Sequence, residues 1–208
     1  MENVHKAMMR TANRCLPSLK TAIQVVGPVQ MTVRSDLPLP LYLSRSVVGQ
    51  QLSGKAASTI WGRVERHCEE LGLSLGETVS RDGLQWLRGC GVSGSKSRAI
   101  GAIFDARDQG LLEIPALAGM SHEERSAQVS SIWGIGQWTC DMLSMFYFAD
   151  VDVWPRADTS ANRELAGFLD QDALPGETWE TWEAAERFRP YRSYLALYMW
   201  RIADTRVP

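Results

Sequence analysis

Ser131-Ile132-Trp133-Gly134-Ile135-Gly136-Gln137-Trp138-Thr139 lies between two stretches of helical periodicity. One helix, expected over 121–132, runs into it. Another, expected over 137–149, runs out with Cys140, Met142, Leu143 and Phe146 on its apolar face. Two glycines, two residues apart, permit a tight turn with backbone N–H groups exposed. The second helix presents its N-terminus at the same place, and free amides plus the positive end of a helix dipole make a phosphate site. A bare Gly-x-Gly is also an ordinary interhelical turn, so the flanks decide.

Working outward, the chain is helical almost throughout. Leu43, Val47, Val48, Leu52, Ala56, Ile60 and Val64 recur at three- and four-residue spacing, with Ser53 as an N-cap between two helices. Segment 95–108 reads as a helix with Ala99, Ile103 and Ala106 inward, and 159–169, 178–187 and 191–203 complete the set. Pro38, Pro40, Gly89, Gly91, Gly94, Pro115, Pro155, Pro175, Gly176 and Pro190 fall between these segments as breakers. No strand alternation is visible. The pattern predicts an all-α fold of roughly nine or ten helices on short connections.

The 208 residues suffice for one large domain or two small ones. No apolar run is long enough to span a membrane, and the charged N-terminus carries no signal-type apolar core; a soluble intracellular protein is expected. Cys15, Cys68, Cys90 and Cys140 stand far apart without a C-x-x-C, and His5, His67 and His122 are equally scattered, so no zinc or cluster spacing exists. The cysteines read as reduced thiols packed as small apolar groups. Net charge is −2, which alone counts mildly against a nucleic-acid partner, but the sum conceals segregation. Glu164, Asp170, Asp172, Glu177, Glu180, Glu183 and Glu186 form an acidic run; Arg187, Arg189, Arg192, Arg201 and Arg206 follow, opposed by Asp204. Arg45, Lys55, Arg63 and Arg66, then Arg88, Lys96, Arg98 and Arg107, make two more basic segments. A chain near neutrality can still present a basic face.

Five segments, in order, resemble those of the helix-hairpin-helix DNA glycosylase superfamily, in its 3-methyladenine DNA glycosylase II branch. Val48-Gly49-Gln50-Gln51-Leu52-Ser53 is similar to G-Q-Q-[IVL]-S, and Cys90-Gly91-Val92-Ser93-Gly94-Ser95-Lys96 to C-G-[LV]-S-x-x-K. Ile132–Thr139 resembles the hairpin L-P-G-[IV]-G-x-x-T-A. Asp152-Val153-Trp154-Pro155-Arg156-Ala157-Asp158 resembles D-V-[FW]-P-x-x-D, and Arg189-Pro190-Tyr191-Arg192-Ser193-Tyr194 the closing R-P-[WY]-R-S-Y.

The resemblance implies a single glycosylase unit over 1–208, in the compact form without an N-terminal β domain. Its two helical lobes would be 45–150, with the hairpin at 131–139, and 1–44 plus 151–208, with a DNA- and base-binding cleft between them. Asp158 becomes the catalytic carboxylate, by charge stabilisation or as a base on water; its alternative role is an N-cap for the helix that follows. Asp152 is expected to be structural. Trp138, Tyr191, Trp133 and Trp154 are base-pocket candidates, suited by cation–π attraction to cationic alkylated purines, whereas Trp61, Trp86 and Trp179 read as packing. Gly134, Gly136, Gln137, Thr139, Gln50, Gln51, Leu52, Ser53, Lys96 and Arg192 are DNA-binding candidates, with Gln51 or Leu52 as the wedge that fills the gap left by a flipped base. The carbonyls of Ser130, Ile132 and Ile135 are candidates for a structural Na+ or K+; no cofactor is required.

Trp138 stands where bifunctional relatives carry a nucleophilic lysine, and the cluster-binding cysteines of those relatives are absent, which together imply a monofunctional enzyme without an iron–sulfur cluster. Trp133 replaces the usual hairpin proline, and Thr159 and Ser160 replace apolar residues after the aspartate. The expected activity is excision of 3-methyladenine- or 7-methylguanine-type bases from double-stranded DNA by a monomer, in a bacterial cytoplasm or nucleoid or a eukaryotic nucleus. The alternatives are a non-catalytic damaged-DNA binding module of the same fold, or a glycosylase for hypoxanthine or ethenoadenine.

Overall fold

The computed structural model describes residues 2–173 and 179–205. Pro175, Gly176, Glu177 and Arg206, used above as breakers and charges, and Thr178, the expected start of a helix, lie outside the described residues. Among the described residues there are thirteen helices and no strand. They are α1 (Glu2–Cys15), α2 (Pro17–Val26), α3 (Leu39–Gly49), α4 (Gly54–Leu71), α5 (Leu75–Asp82), α6 (Trp86–Gly89) and α7 (Gly94–Asp108). Then come α8 (Ile114–Ala118), α9 (His122–Ser130), α10 (Gln137–Phe146), α11 (Thr159–Asp172), α12 (Thr181–Glu186) and α13 (Arg192–Thr205).

The count exceeds the expected nine or ten because several helices are too short to show a period. α6 and α8 are barely one turn, and α5 forms under a capping box in which Ser74 and Glu77 satisfy each other's amides. The boundaries of longer helices follow their caps. Ser53 accepts from the Ala56 amide and starts α4. α10 stops at Phe146, short of the expected 149, where Ala149 takes a left-handed φ of 60° and the Asp150 amide closes on the Ser144 carbonyl.

The chain forms two compact units, Arg34–Leu143 and Met1–Val33 with Ser144–Pro208. In the first, α3 packs on α4 and α7, and α4 on α5. Val48, Trp61, Val64, Leu87, Ile100 and Phe104 form its core. Ala99, Ile103 and Ala106 are buried as expected. Leu52 is not: at 39% exposed it leaves the stripe it was assigned to. The chain exits α3 at Gly49, and Gln51 adopts φ 56°, which turns the following side chain away from the core. In the second unit α2, α11 and α13 pack together, with Leu19, Ile23, Leu165, Leu195 and Met199 inward. The Ser18 amide and hydroxyl both donate to Asp172, and His5 Nδ1 meets the Tyr198 hydroxyl at 2.6 Å.

All four cysteines are free, and all but Cys15 are buried. Burial, reinforced by Asp141, pushes the Cys140 thiol up to about 12, so it packs as a neutral group.

Gly134 sits at φ 86°, and a Cβ there would lie 2.5 Å from the Cβ of Ala99 on α7. Gly134→Ala is therefore expected to lower stability by about 2–4 kcal/mol in urea unfolding, left-handed strain and overpacking combined. A double-mutant cycle with Ala99→Gly should recover about 1 kcal/mol or more as coupling between the two sites.

Candidate functional site

The sequence candidates fall into two groups, one in each unit. The first surrounds the turn between α9 and α10. Gly134 is required for fit, but Gly136 has no positive φ, and a Cβ there would meet nothing within 4 Å. Among the described residues the Gly134, Gly136 and Gln137 amides donate to no protein group. Together with the start of α10 they present N–H donors and the positive end of a helix to open space. The Gln137 side chain is not part of this array, because its Nε2 donates to Asp141 at 2.8 Å. Asp141 is 2% exposed and also lies 3.1 Å from His122 Nε2, so it braces α10 against the start of α9.

Thr139 was a candidate for direct phosphate contact. It is 1% exposed, and its Oγ1 accepts a hydrogen bond from Gln50 Nε2 at 3.0 Å. The hydroxyl therefore holds the Gln50 turn onto α10. Lys96 acts on the same turn: its Nζ donates to the Val48 and Gln50 carbonyls at 2.9 and 2.7 Å. Burial holds its ammonium below the ordinary lysine range. Two of its three donors are thus committed inside the protein, and Lys96 serves to shape the turn. What the turn presents outward is Gln51, in its left-handed conformation, with Leu52 and Ser53, all exposed. Trp138 is half-buried, and Trp133 is exposed beneath the guanidinium of Arg98.

The second group surrounds Asp158. This residue N-caps α11, its Oδ1 accepting from the Ala161 amide at 2.8 Å and from the Trp200 indole N–H at 3.0 Å. Two donors on one oxygen fix the plane of the carboxylate, and the helix N-terminus favours its charge. The approach to it is held as firmly. Asn162 Nδ2 donates to the Arg156 and Asp158 carbonyls, and the Asp158 amide closes on Pro155. Upstream, Ser193 Oγ donates to the Asp150 carbonyl and accepts from the Val153 amide.

Arg192, a DNA-binding candidate, turns inward. It contacts both carboxylate oxygens and the carbonyl of Asp152, and pairs with Glu186, with 12% of its side chain exposed. Arg189 joins Asp152 and Glu186 as well. Arg187 lies over Trp179, 3.8 Å from the ring centroid. Much of the C-terminal basic run is consumed within the unit, so the basic face that the segregation of charge suggested does not come from there. Asp152 is structural, as expected. Tyr191 is half-buried, edge-on to Tyr194, while Trp154 is 5% exposed and its indole N–H meets no hydrogen-bond partner among the described residues.

Sequence reasoning missed Trp200 and Asn162. Asn162 could have been suspected, four residues after a capping aspartate on the first turn of a helix. Trp200 carried no signal, since its partner is 42 residues away.

No family model matches the sequence. The chain is 32% identical to a DNA-3-methyladenine glycosidase from Bacillus halodurans whose crystal structure superposes with a TM-score of 0.74, over 90% of this chain and 84% of that one. A 3-methyladenine DNA glycosylase of Schizosaccharomyces pombe, in complex with abasic DNA, shares the fold at a TM-score of 0.78 and 23% identity, over 97% of each chain. An alkylbase DNA glycosidase-like protein of the same yeast is 26% identical over 184 residues, 86% of this chain and 85% of that one.

Lys96→Met leaves the Val48 and Gln50 carbonyls without their donor. Amide hydrogen exchange at residues 50–53 should accelerate by about tenfold, the equivalent of about 1.4 kcal/mol of local stability, with global unfolding much less affected.

Proposed function

The chain belongs to the helix-hairpin-helix DNA glycosylase superfamily, in the compact form of its 3-methyladenine glycosylase branch, and we propose from that membership that it hydrolyses the N-glycosidic bond of alkylated purines in duplex DNA. The observation that carries the proposal is the Asp158 carboxylate, fixed at the start of α11 by the Ala161 amide and the Trp200 indole.

Base excision needs three things from the protein: a grip on the backbone, a flipped nucleotide and charge complementarity to the transition state. The Gly134, Gly136 and Gln137 amides supply the grip. The exposed Gln51–Leu52 turn, stiffened by Lys96 and by the Gln50–Thr139 hydrogen bond, would fill the space the nucleotide leaves. Departure of the base builds positive charge on the sugar. A carboxylate already oriented by two donors stabilises that charge without reorganising, and it can orient or deprotonate the attacking water.

Trp138 in one unit and Tyr191 in the other are each partly exposed, and cation–π attraction to such a ring favours methylated purines that carry positive charge. Such bases are good leaving groups, so strong acid catalysis is unnecessary. The chemistry stops at the abasic site: the four lysines are Lys6, Lys20, Lys55 and Lys96, none of them in the hairpin, so no amine there can form a Schiff base. The Ser130, Ile132 and Ile135 carbonyls suit a monovalent cation, being neutral hard oxygen donors, two of which (Ser130 and Ile135) accept no hydrogen bond among the described residues. Such an ion would add positive charge beside the hairpin amides.

The test is base release from methylated duplex DNA, with strand nicking scored before and after alkali. Wild type should release base and nick only after alkali. Asp158→Asn, which caps a helix as well as aspartate does, should lose about 100-fold or more in single-turnover rate. Trp200→Phe should lose about tenfold in the same rate with lesion binding retained, the signature of a misoriented carboxylate. Tight lesion binding without release by wild type would replace the enzyme with a damaged-DNA binding module.

A further inference from the structure

Trp133 is 43% exposed at the tip of the hairpin, where the motif it resembles has proline. Its ring is covered on one side by the Arg98 guanidinium, 4.2 Å from the centroid. Arg98 belongs to α7, and its neighbour Ala99 is the residue on which Gly134 packs. The close approach that fixes the hairpin therefore also fixes a cation beside it. Four residues earlier on α7, and so on the same face, stands Gly94, where a Cβ would lie 3.1 Å from Arg88 Nη1.

Arg88 and Arg98 are exposed, and neither pairs with a carboxylate among the described residues. This distinguishes them from Arg107, Arg189 and Arg192, whose guanidinium groups each meet an acid. A guanidinium stacked on an aromatic ring uses its face and keeps its N–H edge for an acceptor. Next to it are three amides with no acceptor among the described residues, opposite open space at Gly136. Cations and free amides on neighbouring residues suit the anionic oxygens that recur along a nucleic-acid backbone.

We propose that Arg98, held flat on Trp133, binds a second phosphate of the DNA backbone next to the one bound by the hairpin amides, with Arg88 as a further contact on the same face. The proposal rests on the reading of the chain as a DNA glycosylase and adds a backbone contact that the hairpin motif does not supply. It moves Trp133 from the base pocket to the backbone grip, as the platform that aims Arg98. The contact positions the duplex without reading sequence.

The experiment measures affinity of the full chain for a duplex carrying an abasic-site analogue, and for the undamaged duplex, between about 50 and 200 mM salt. Each lost phosphate contact should reduce the slope of log affinity against log salt by about 0.9. Arg98→Gln should show that reduction on both duplexes. Trp133→Phe should keep the wild-type slope, and Trp133→Pro should lose part of it. Base release by wild type together with an unchanged slope in Arg98→Gln would overturn this contact and leave the glycosylase reading intact. Absence of salt-dependent DNA binding by wild type would overturn both.

Discussion

The contact between Gly134 and Ala99 is the constraint on which most of the hairpin unit depends. The backbone at 134 comes so close to α7 that even a methyl group cannot be inserted, and it does so at a φ that side chains avoid. Because the contact is made by backbone and a methyl group, it has little freedom to relax. The turn between α9 and α10 is thereby locked to α7, and everything α7 carries is placed relative to it. Lys96 reaches the end of α3, Arg98 reaches the face of Trp133, and Gly94 clears space for Arg88. Gly136, by contrast, has no such internal reason to be glycine; the open space before it is where a ligand would approach.

The unit that holds Asp158 solves a different problem, keeping a carboxylate in one orientation while leaving it partly exposed. Hydrogen bonds do this rather than packing. The Ala161 amide and the Trp200 indole hold one oxygen, Asn162 ties down the loop behind it, and the Asp152–Arg192 and Ser193 contacts hold the preceding segment to the start of α13. The cap and the charge of Asp158 belong to one arrangement, since a helix N-terminus that orients the carboxylate also favours its charge.

The polar residues of the motifs divide into those that face outward and those that support them. Gln50, Thr139, Lys96 and Arg192 looked like contacts because they are polar residues within motifs. Each commits at least one polar atom to a neighbouring backbone or side chain. Buried polar groups must be satisfied, and a turn with a left-handed residue keeps its shape only when its carbonyls are held. Such residues act through the shape they maintain.

Local pattern determined a good deal of this protein. Helical periodicity established the all-α class, Ser53 and Asp158 announced their caps, and the glycines of 134–136 marked a turn between helices with backbone amides at its mouth. These are short-range properties, written in residues that are near one another in the chain. Leu52 shows the limit of periodicity, because a single left-handed residue at Gln51 took it off the stripe it seemed to belong to. Only the tertiary structure decided which of two equally basic arginines finds an acid, that Trp200 meets Asp158, and that Arg98 lies on Trp133. The Arg192–Asp152, Trp200–Asp158 and Arg98–Trp133 pairings join residues tens of positions apart, and such partners depend on how helices pack, which spacing along one helix does not encode.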